Sequence, residues 1–381
     1  VLETCVGIWT DRHFPASIIA DQCRALQDSG HVDGVLVPDQ LAGFAPQQLW
    51  TPENTPLAGL IGDPDSAMDA FMVAPYIHAA APNLNLHLTS DSVRRGPAEI
   101  VQSMLTLAHL TEGRANFQIG GGELKQTAPF GHPTNQGMSR MKDLFQIYRQ
   151  ILDNDGPIDF DGKRWKFKRA YLGGAKQHRP TLWALGGGPQ LLDYATSWAD
   201  GIAIAVPNAL TSPEETADSI QLIRHQVEQK GRDPEQFRIA LWVSVLLHPD
   251  QSKLQAAFDN PLIKWVSSAV GRVDTDMWAK EERSLPFPPG WSYFRDMLPY
   301  DTDSEFIDQI VTATTPDHVR AAWLLGSPDD VAKQVQPYLD AGIDWVMPFD
   351  YLPVVGDPAD AALAVGWMIE LCAAMKRNNN A

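Results

Sequence analysis

Short apolar, β-branched runs alternate with stretches of helical period from one end of the chain to the other. The strand-like runs are Thr4–Trp9, Asp33–Pro38, Leu84–Leu88, Ala115–Ile119, Thr181–Leu185, Gly201–Ala205, Arg238–Leu247 and Asp344–Pro348. The helical pattern covers Ser17–Ser29, Ala67–Ala81, Pro97–Leu110, Ser139–Leu152, Pro189–Ser197, Pro213–Gln229, Ser252–Val270, Pro328–Asp340 and Ala359–Met375. Pro97 suits a first helical turn, and Ile100, Met104, Leu107 and Ala108 then recur on one face. Strands that alternate with helices imply a parallel sheet with helices outside. Eight such units favour closure, so the expected class is α/β, a (β/α)8 TIM barrel forming a single domain over residues 1–381.

Three stretches depart from the bare repeat. Ile158–Phe167 reads as a hairpin around a DFDGKRW turn. Ala42–Pro64 is apolar and proline-rich, and Gly271–Pro299 carries Trp278, Phe287, Trp291, Tyr293 and Phe294 between prolines. These two are read as insertions after strand 2 (about 41–65) and after strand 7 (about 271–315). Loops this long in a compact domain are functional or disordered, and the aromatic content argues against disorder.

Charge and cysteine content narrow the partners. The net charge of −17 disfavours nucleic acid, whose phosphates such a surface repels. A small anion can still be held locally by backbone N–H groups and helix N-termini. The cysteines, Cys5, Cys23 and Cys372, form no CxxC or zinc spacing and fit a reduced, cytoplasmic setting. No apolar run of membrane length stands out, so no membrane partner is expected. His13, His78, His87, His132 and His248 show no HxxxH or HExxH spacing, so no metal is expected. No GxSxG is present to suggest a serine hydrolase.

In a (β/α)8 barrel the chemistry sits at the C-terminal strand ends. The residues there are Asp11 and His13, Asp39 and Gln40, Thr89–Asp91, Gly120–Glu123, Gly186–Gln190, Val206–Asn208, His248, and Phe349 with Asp350. Two glycine clusters stand out: Gly120-Gly121-Gly122 after the fourth strand, and Gly186-Gly187-Gly188 before Pro189 and Gln190 after the fifth. Glycines let backbone approach a ligand and present bare N–H groups, and a helix starting at Pro189 adds a positive dipole end suited to phosphate. Either cluster alone also fits a plain tight turn. Glu123 is a candidate acid or base, or a cap for the next turn. Asp39 is a candidate acceptor for a ring N–H, or a loop cap.

The segments DGVLVPDQ (33–40), SVRRGPAEIVQ (92–102), LTEGRANFQIGGGE (110–123), WALGGGPQLLDYATSWADG (183–201) and LLGSPDDVAKQVQPYLDAGIDWV (324–346) together resemble the luciferase-like monooxygenase superfamily. Within it the chain is similar to the branch that uses the deazaflavin coenzyme F420, such as methylene-tetrahydromethanopterin reductases and phthiodiolone ketoreductases. The resemblance implies F420 as cofactor, with FMN as the alternative. It implies an oxidoreductase moving a hydride to or from a carbonyl, imine or activated alkene. Alternatives are an FMN-dependent two-component monooxygenase and a non-catalytic flavin-binding protein. It implies that Asp39 meets the cofactor ring edge and that a cis peptide lies around Leu88, Thr89 and Ser90. The glycine clusters would hold the cofactor tail and phosphate, with Pro189 and Gln190. Glu123 would be the proton donor or relay, with Asp11 or His13 as second candidate. A homodimer is also expected.

Departures from the branch bear on the reaction. Its dehydrogenases carry Asp-His where this chain has Asp39-Gln40, and an amide cannot take a proton as imidazole does. Phe44 stands where a tryptophan is usual. Ala205-Val206-Pro207-Asn208 offers no cation for a sugar phosphate, whereas the two insertions suit an apolar organic substrate. Because F420 carries an oligoglutamate tail, a local basic patch is expected on this acidic protein, with Arg94, Arg95 and Lys125 as candidates.

Overall fold

The computed structural model describes residues 2–173 and 176–379. Eight parallel strands form the barrel: β1 (Glu3–Gly7), β2 (Gly34–Pro38), β3 (Asn85–Asp91), β4 (Ala115–Gly120), β5 (Thr181–Leu185), β6 (Gly201–Val206), β7 (Arg238–Leu247) and β8 (Trp345–Asp350). Each pairs with the next, and β8 returns to β1 through Glu3↔Trp345, so the ring closes without an edge. β7 is the longest strand, and its upper end also pairs with a short strand, Leu324–Gly326, that the apolar pattern did not reveal.

Alternation along each strand divides the core in two. Val35, Val37, Leu86, Leu88, Phe117, Ile119, Ile202 and Leu241 face the helices. Cys5, Leu36, Trp183, Ala203, Ala240, Trp345 and Met347 fill the barrel. The small residues on β6 and β7 leave room for Trp183 and Trp345, whose rings meet edge to face at 5.5 Å. Below them His87 lies 3.2 Å from both Glu3 Oε1 and Trp345 Nε1. Burial alone would raise the Glu3 carboxyl, but hydrogen bonding and charge from His87, with Asn85 and Arg238, bring its pKa down to about 2. The lower barrel is therefore a packed plug, and the site must lie above it.

The two insertions build a second hydrophobic core over the upper rim. Ala45, Leu49, Trp50 and Ile61 from the first pack with Trp265, Trp278, Phe287, Met297, Ile307 and Ile310 from the region after β7. Trp265 Nε1 donates to the Phe44 carbonyl at 2.8 Å, and Asn260 Nδ2 to the Asn54 carbonyl at 2.7 Å. The aromatics expected to make a greasy substrate loop are thus largely spent on this core; Trp278 and Phe287 are fully buried.

Local differences from the sequence pattern have clear causes. The long helix expected over Ser252–Val270 is two, Gln251–Ala257 and Pro261–Val270, because Pro261 starts a new helix and Asn260 caps it through the N–H groups of Leu262 and Ile263. The region read as loop also holds helices Ser304–Ala313 and Pro316–Ala322. The expected cis bond at Leu88–Ser90 is not there. β3 runs as an unbroken ladder between Pro38↔Thr89 and Asp91↔Gly120, and the one cis peptide among the described residues is Val206–Pro207. One helix, Pro358–Asn379, is long and apolar enough to cross a membrane by length and composition, contrary to the sequence reading. Here it packs on helix Pro328–Leu339 and the outside of the barrel.

Candidate active site

The two glycine turns open side by side. β4 and β5 pair through Ile119↔Ala184, and a side chain added to Gly120 would meet the Leu185 and Ser90 carbonyls at 3.7 and 3.9 Å. Gly122 and Gly186 have φ of +87° and +129°, which L side chains rarely adopt. Gly187 and Gly188 are exposed, with nothing within 4 Å of the Cβ position on Gly188. Gly188 begins helix Pro189–Trp198, which has no side-chain cap. Among the described residues the N–H groups of Gln190 and Leu191 therefore have no partner, the arrangement that suits a phosphate. Gln190 itself donates through Nε2 to the Tyr194 hydroxyl at 2.8 Å. Helix Gly137–Asp153 buttresses the first turn: Met138 Sδ is 3.4 Å from the Cβ position of Gly121, and a Cβ on Gly137 would overlap the Gly121 carbonyl.

Beneath the turns the barrel presents a polar layer that reading only the post-strand residues missed. Trp242 Nε1 donates to Gln118 Oε1 at 2.8 Å, leaving Gln118 Nε2 buried with no partner among the described residues. Ser244 Oγ donates to Asn208 Oδ1 at 2.7 Å, and Asn208 Nδ2 donates to the Val270 carbonyl at 2.7 Å. The signal was the alternation within β4, where Asn116 and Gln118 take the face opposite Ala115, Phe117 and Ile119. Thr89 is buried beside this layer, whereas Leu88 points into the helical shell and offers no side chain to the mouth.

Asp39 is buried at the end of β2. Its Oδ2 accepts from Ser90 Oγ at 2.7 Å and lies 3.1 Å from Arg94 and 3.5 Å from Arg95. Among the described residues Oδ1 accepts no hydrogen bond, so it is the atom left to accept from a ligand N–H. The arginines are not free cations. Arg94 is also paired with Asp91, and Arg95 reaches Asp69 at 2.8 Å. Lys125 is fully buried against Glu123, the Ala42 carbonyl and the Phe44 ring. The expected basic patch at these three residues is therefore replaced by closed ion pairs.

The other acid candidates differ in availability. Asp11 is consumed by Ser66 Oγ at 2.6 Å and the His13 N–H at 2.7 Å, while His13 reaches Asp63 at 3.0 Å. Both pin the first insertion to β1 and stand as anchors. Glu123 keeps part of its carboxyl exposed beside the first glycine turn. Gln40 is half-buried on the same rim. Among the described residues no group of three or more His, Cys, Asp or Glu is disposed to hold a metal.

Asp350, at the end of β8, faces away from the mouth. Its Oδ1 accepts from the Leu247 and Leu352 N–H groups at 3.1 and 3.0 Å, while Oδ2 is shut off from solvent with no partner among the described residues. Burial outweighs those two hydrogen bonds and pushes its pKa from 3.8 up to about 7. A raised carboxyl favours the fold in its neutral form. Its contribution is whole below about pH 4, is lost as pH rises toward 7, and stays lost above, a penalty of about 4 kcal/mol. Asp350→Asn should therefore gain about 1–2 kcal/mol at pH 8, after the cost of its unpartnered amide, and nothing at pH 4. Urea unfolding at the two pH values checks this; equal effects would refute it.

Residues 42–344 match the luciferase-like monooxygenase family, and the chain belongs to it. Among curated relatives, it is 27% identical over 319 residues to the phthiodiolone/phenolphthiodiolone dimycocerosates ketoreductase of Mycobacterium sp. (strain JLS), covering 82% of each chain. Its fold is similar to that of an F420-dependent secondary alcohol dehydrogenase, with a TM-score of 0.73 and 15% identity over 98% of this chain and 99% of the other. It is also similar to that of the long-chain alkane monooxygenase LadA, at 0.65 and 14% over 99% and 91%.

Proposed function

We propose that this protein is an F420-dependent reductase that delivers a hydride to an apolar carbonyl, imine or activated alkene. The observation that carries the reading is the pair of open glycine turns joined to an uncapped helix N-terminus above a polar barrel layer. The residues present fit the cofactor. Gly120–Gly122, Gly186–Gly188 and the N–H groups after Pro189 would hold its phosphate. Asp39 Oδ1, Thr89, Ser90 and the orphaned Gln118 Nε2 would meet its ring edge. When bound, the deazaflavin supplies a two-electron hydride donor that does not need oxygen.

The chain's own residues would orient the two reactants and exclude water. Ser90, Arg94 and Arg95 fix Asp39 so that one oxygen points to the ligand. Lys125 holds Glu123 at the rim, where its carboxyl can relay a proton to the reduced substrate. Gln40 in place of histidine leaves no imidazole beside Asp39 to take a proton from an alcohol, which favours reduction over oxidation. Trp9, Leu41 and Phe349 give the mouth an apolar wall.

The similarity to a ketoreductase supports carbonyl reduction and that to an F420-dependent dehydrogenase supports F420, while that to LadA, a monooxygenase, keeps oxygenation with FMN as the second reading. Anaerobic mixing of reduced F420 with aliphatic and aryl ketones separates them. Return of the oxidised cofactor's violet absorbance supports reduction. Oxygen uptake with reduced FMN, and none of that return, would replace it; binding without turnover would leave a carrier. We also infer a cytoplasmic homodimer. Ile18, Met72 and Tyr76 are exposed on neighbouring helices Ala16–Asp28 and Ala70–Ala80, and a solution mass of one chain would contradict the pairing.

A further inference from the structure

An acidic cofactor tail must leave the glycine turns across a protein of net charge −17. Arg94, Arg95 and Lys125 are engaged with carboxylates, but four other cations lie along helix Gly137–Asp153, whose Gly137 abuts Gly121, and on the hairpin tethered to it. The hairpin with arms Ile158–Asp161 and Lys166–Ala170 folds its tip onto helix Gly137–Asp153. Buried Asp143 tethers it by accepting from the N–H groups of Lys163, Arg164 and Trp165 at 3.3, 2.6 and 3.0 Å. Gly162 is needed there, because a Cβ would overlap the Asp143 carboxylate.

That tether sets Arg164 Nε 2.7 Å from Ser139 Oγ and the Arg140 guanidinium 5.1 Å above the Trp165 ring. Ser139 and Arg140 lie in the first turn of the helix whose Gly137 abuts Gly121. On the second turn of that helix, Lys142 Nζ lies 5.9 and 5.8 Å from the rings of Tyr194 and Trp198, on the helix that follows the other glycine turn. Among the described residues Arg140, Lys142, Lys163 and Arg164 make no ion pair. Lys166 and Lys168, on the far arm, are paired with Asp161 and Asp159.

We propose that Arg140, Lys142, Lys163 and Arg164 form a docking strip for the oligoglutamate tail of the cofactor, an inference that rests on the F420 reading. Each exposed pair with a carboxylate is weak and screened by salt, but several along one flexible tail act together. The strip also answers how an acidic protein admits an acidic cofactor: it starts at the helical turn that abuts Gly121 and runs down that helix to Lys142, level with Tyr194 and Trp198.

The test compares fluorescence titrations of oligoglutamyl F420 and of its phospholactyl form without glutamates. The tailed form should bind roughly tenfold more tightly at low salt and lose that advantage near molar salt. Arg140→Gln/Lys142→Gln/Lys163→Gln/Arg164→Gln should abolish the difference between the forms, and Lys166→Gln/Lys168→Gln should keep it. Equal affinities for the unaltered protein, whatever the variants do, would overturn the strip and leave the F420 reading intact. Binding of neither form would overturn both.

Discussion

Gly188→Asp should weaken F420 binding by about a hundredfold while leaving the fold as stable as before, or slightly more so. Gly188 has φ −69° and ψ 152°, which any residue adopts, and its Cβ position is open, so the substitution strains nothing. An aspartate at a helix N-cap accepts from the same N–H groups proposed to hold the phosphate. It would replace the ligand's charge-assisted hydrogen bonds and repel the incoming anion, and losing two such bonds accounts for a factor of about a hundred. Capping adds a few tenths of a kcal/mol over glycine. Titration and thermal melting together decide the matter. Unchanged affinity would remove the phosphate from this helix, and a large fall in melting temperature would mean that Gly188 serves the fold alone.

Arg272→Ala should cost about 3–5 kcal/mol of stability, read as a lower urea midpoint. Arg272 is almost fully buried where the second insertion leaves the barrel. Its Nη1 donates to the carbonyls of Pro207, Gly271 and Ala321 at 3.2, 2.6 and 3.1 Å, and its Nη2 lies 2.7 Å from Glu281. The guanidinium also stacks on Trp278 at 4.3 Å. Alanine leaves several carbonyls unpaired, Glu281 short of a partner and a void beside the indole. Because Pro207 follows β6 directly, the loss should loosen the cap and the barrel rim together. Lysine restores charge but not the fork, so Arg272→Lys should recover only part of the loss. A cost below 1 kcal/mol for the alanine variant would show that the insertion is held by its apolar core alone.

The barrel was legible because its strands are buried on both faces and stand out as dense apolar runs between turn signals. Pro97–Leu110 and Pro213–Gln229 were legible to the residue, since proline marks each start and the apolar stripe marks each length. The cap was not legible. Its core joins Phe44 to Trp265, and Thr55 to the Val354 carbonyl, across gaps in the chain that no local period reports. The glycine turns could be read because their chemistry is local backbone. The charges could be seen but not their partners: nothing in RRGP shows that Arg94 and Arg95 fold back onto Asp39, Asp91 and Asp69. The unpaired cations instead lie on a hairpin whose position depends on Asp143, a long-range tether. Leu324–Gly326 was too short to read as a strand and forms only where the end of β7 offers a free edge.

The most direct measurement is equilibrium titration of the purified protein with F420 and, separately, with FMN, followed by cofactor fluorescence. Saturable micromolar binding of F420 with none of FMN is expected if the paired glycine turns and the helix beginning at Pro189 receive a deazaflavin. Saturable binding of FMN with none of F420 would contradict it.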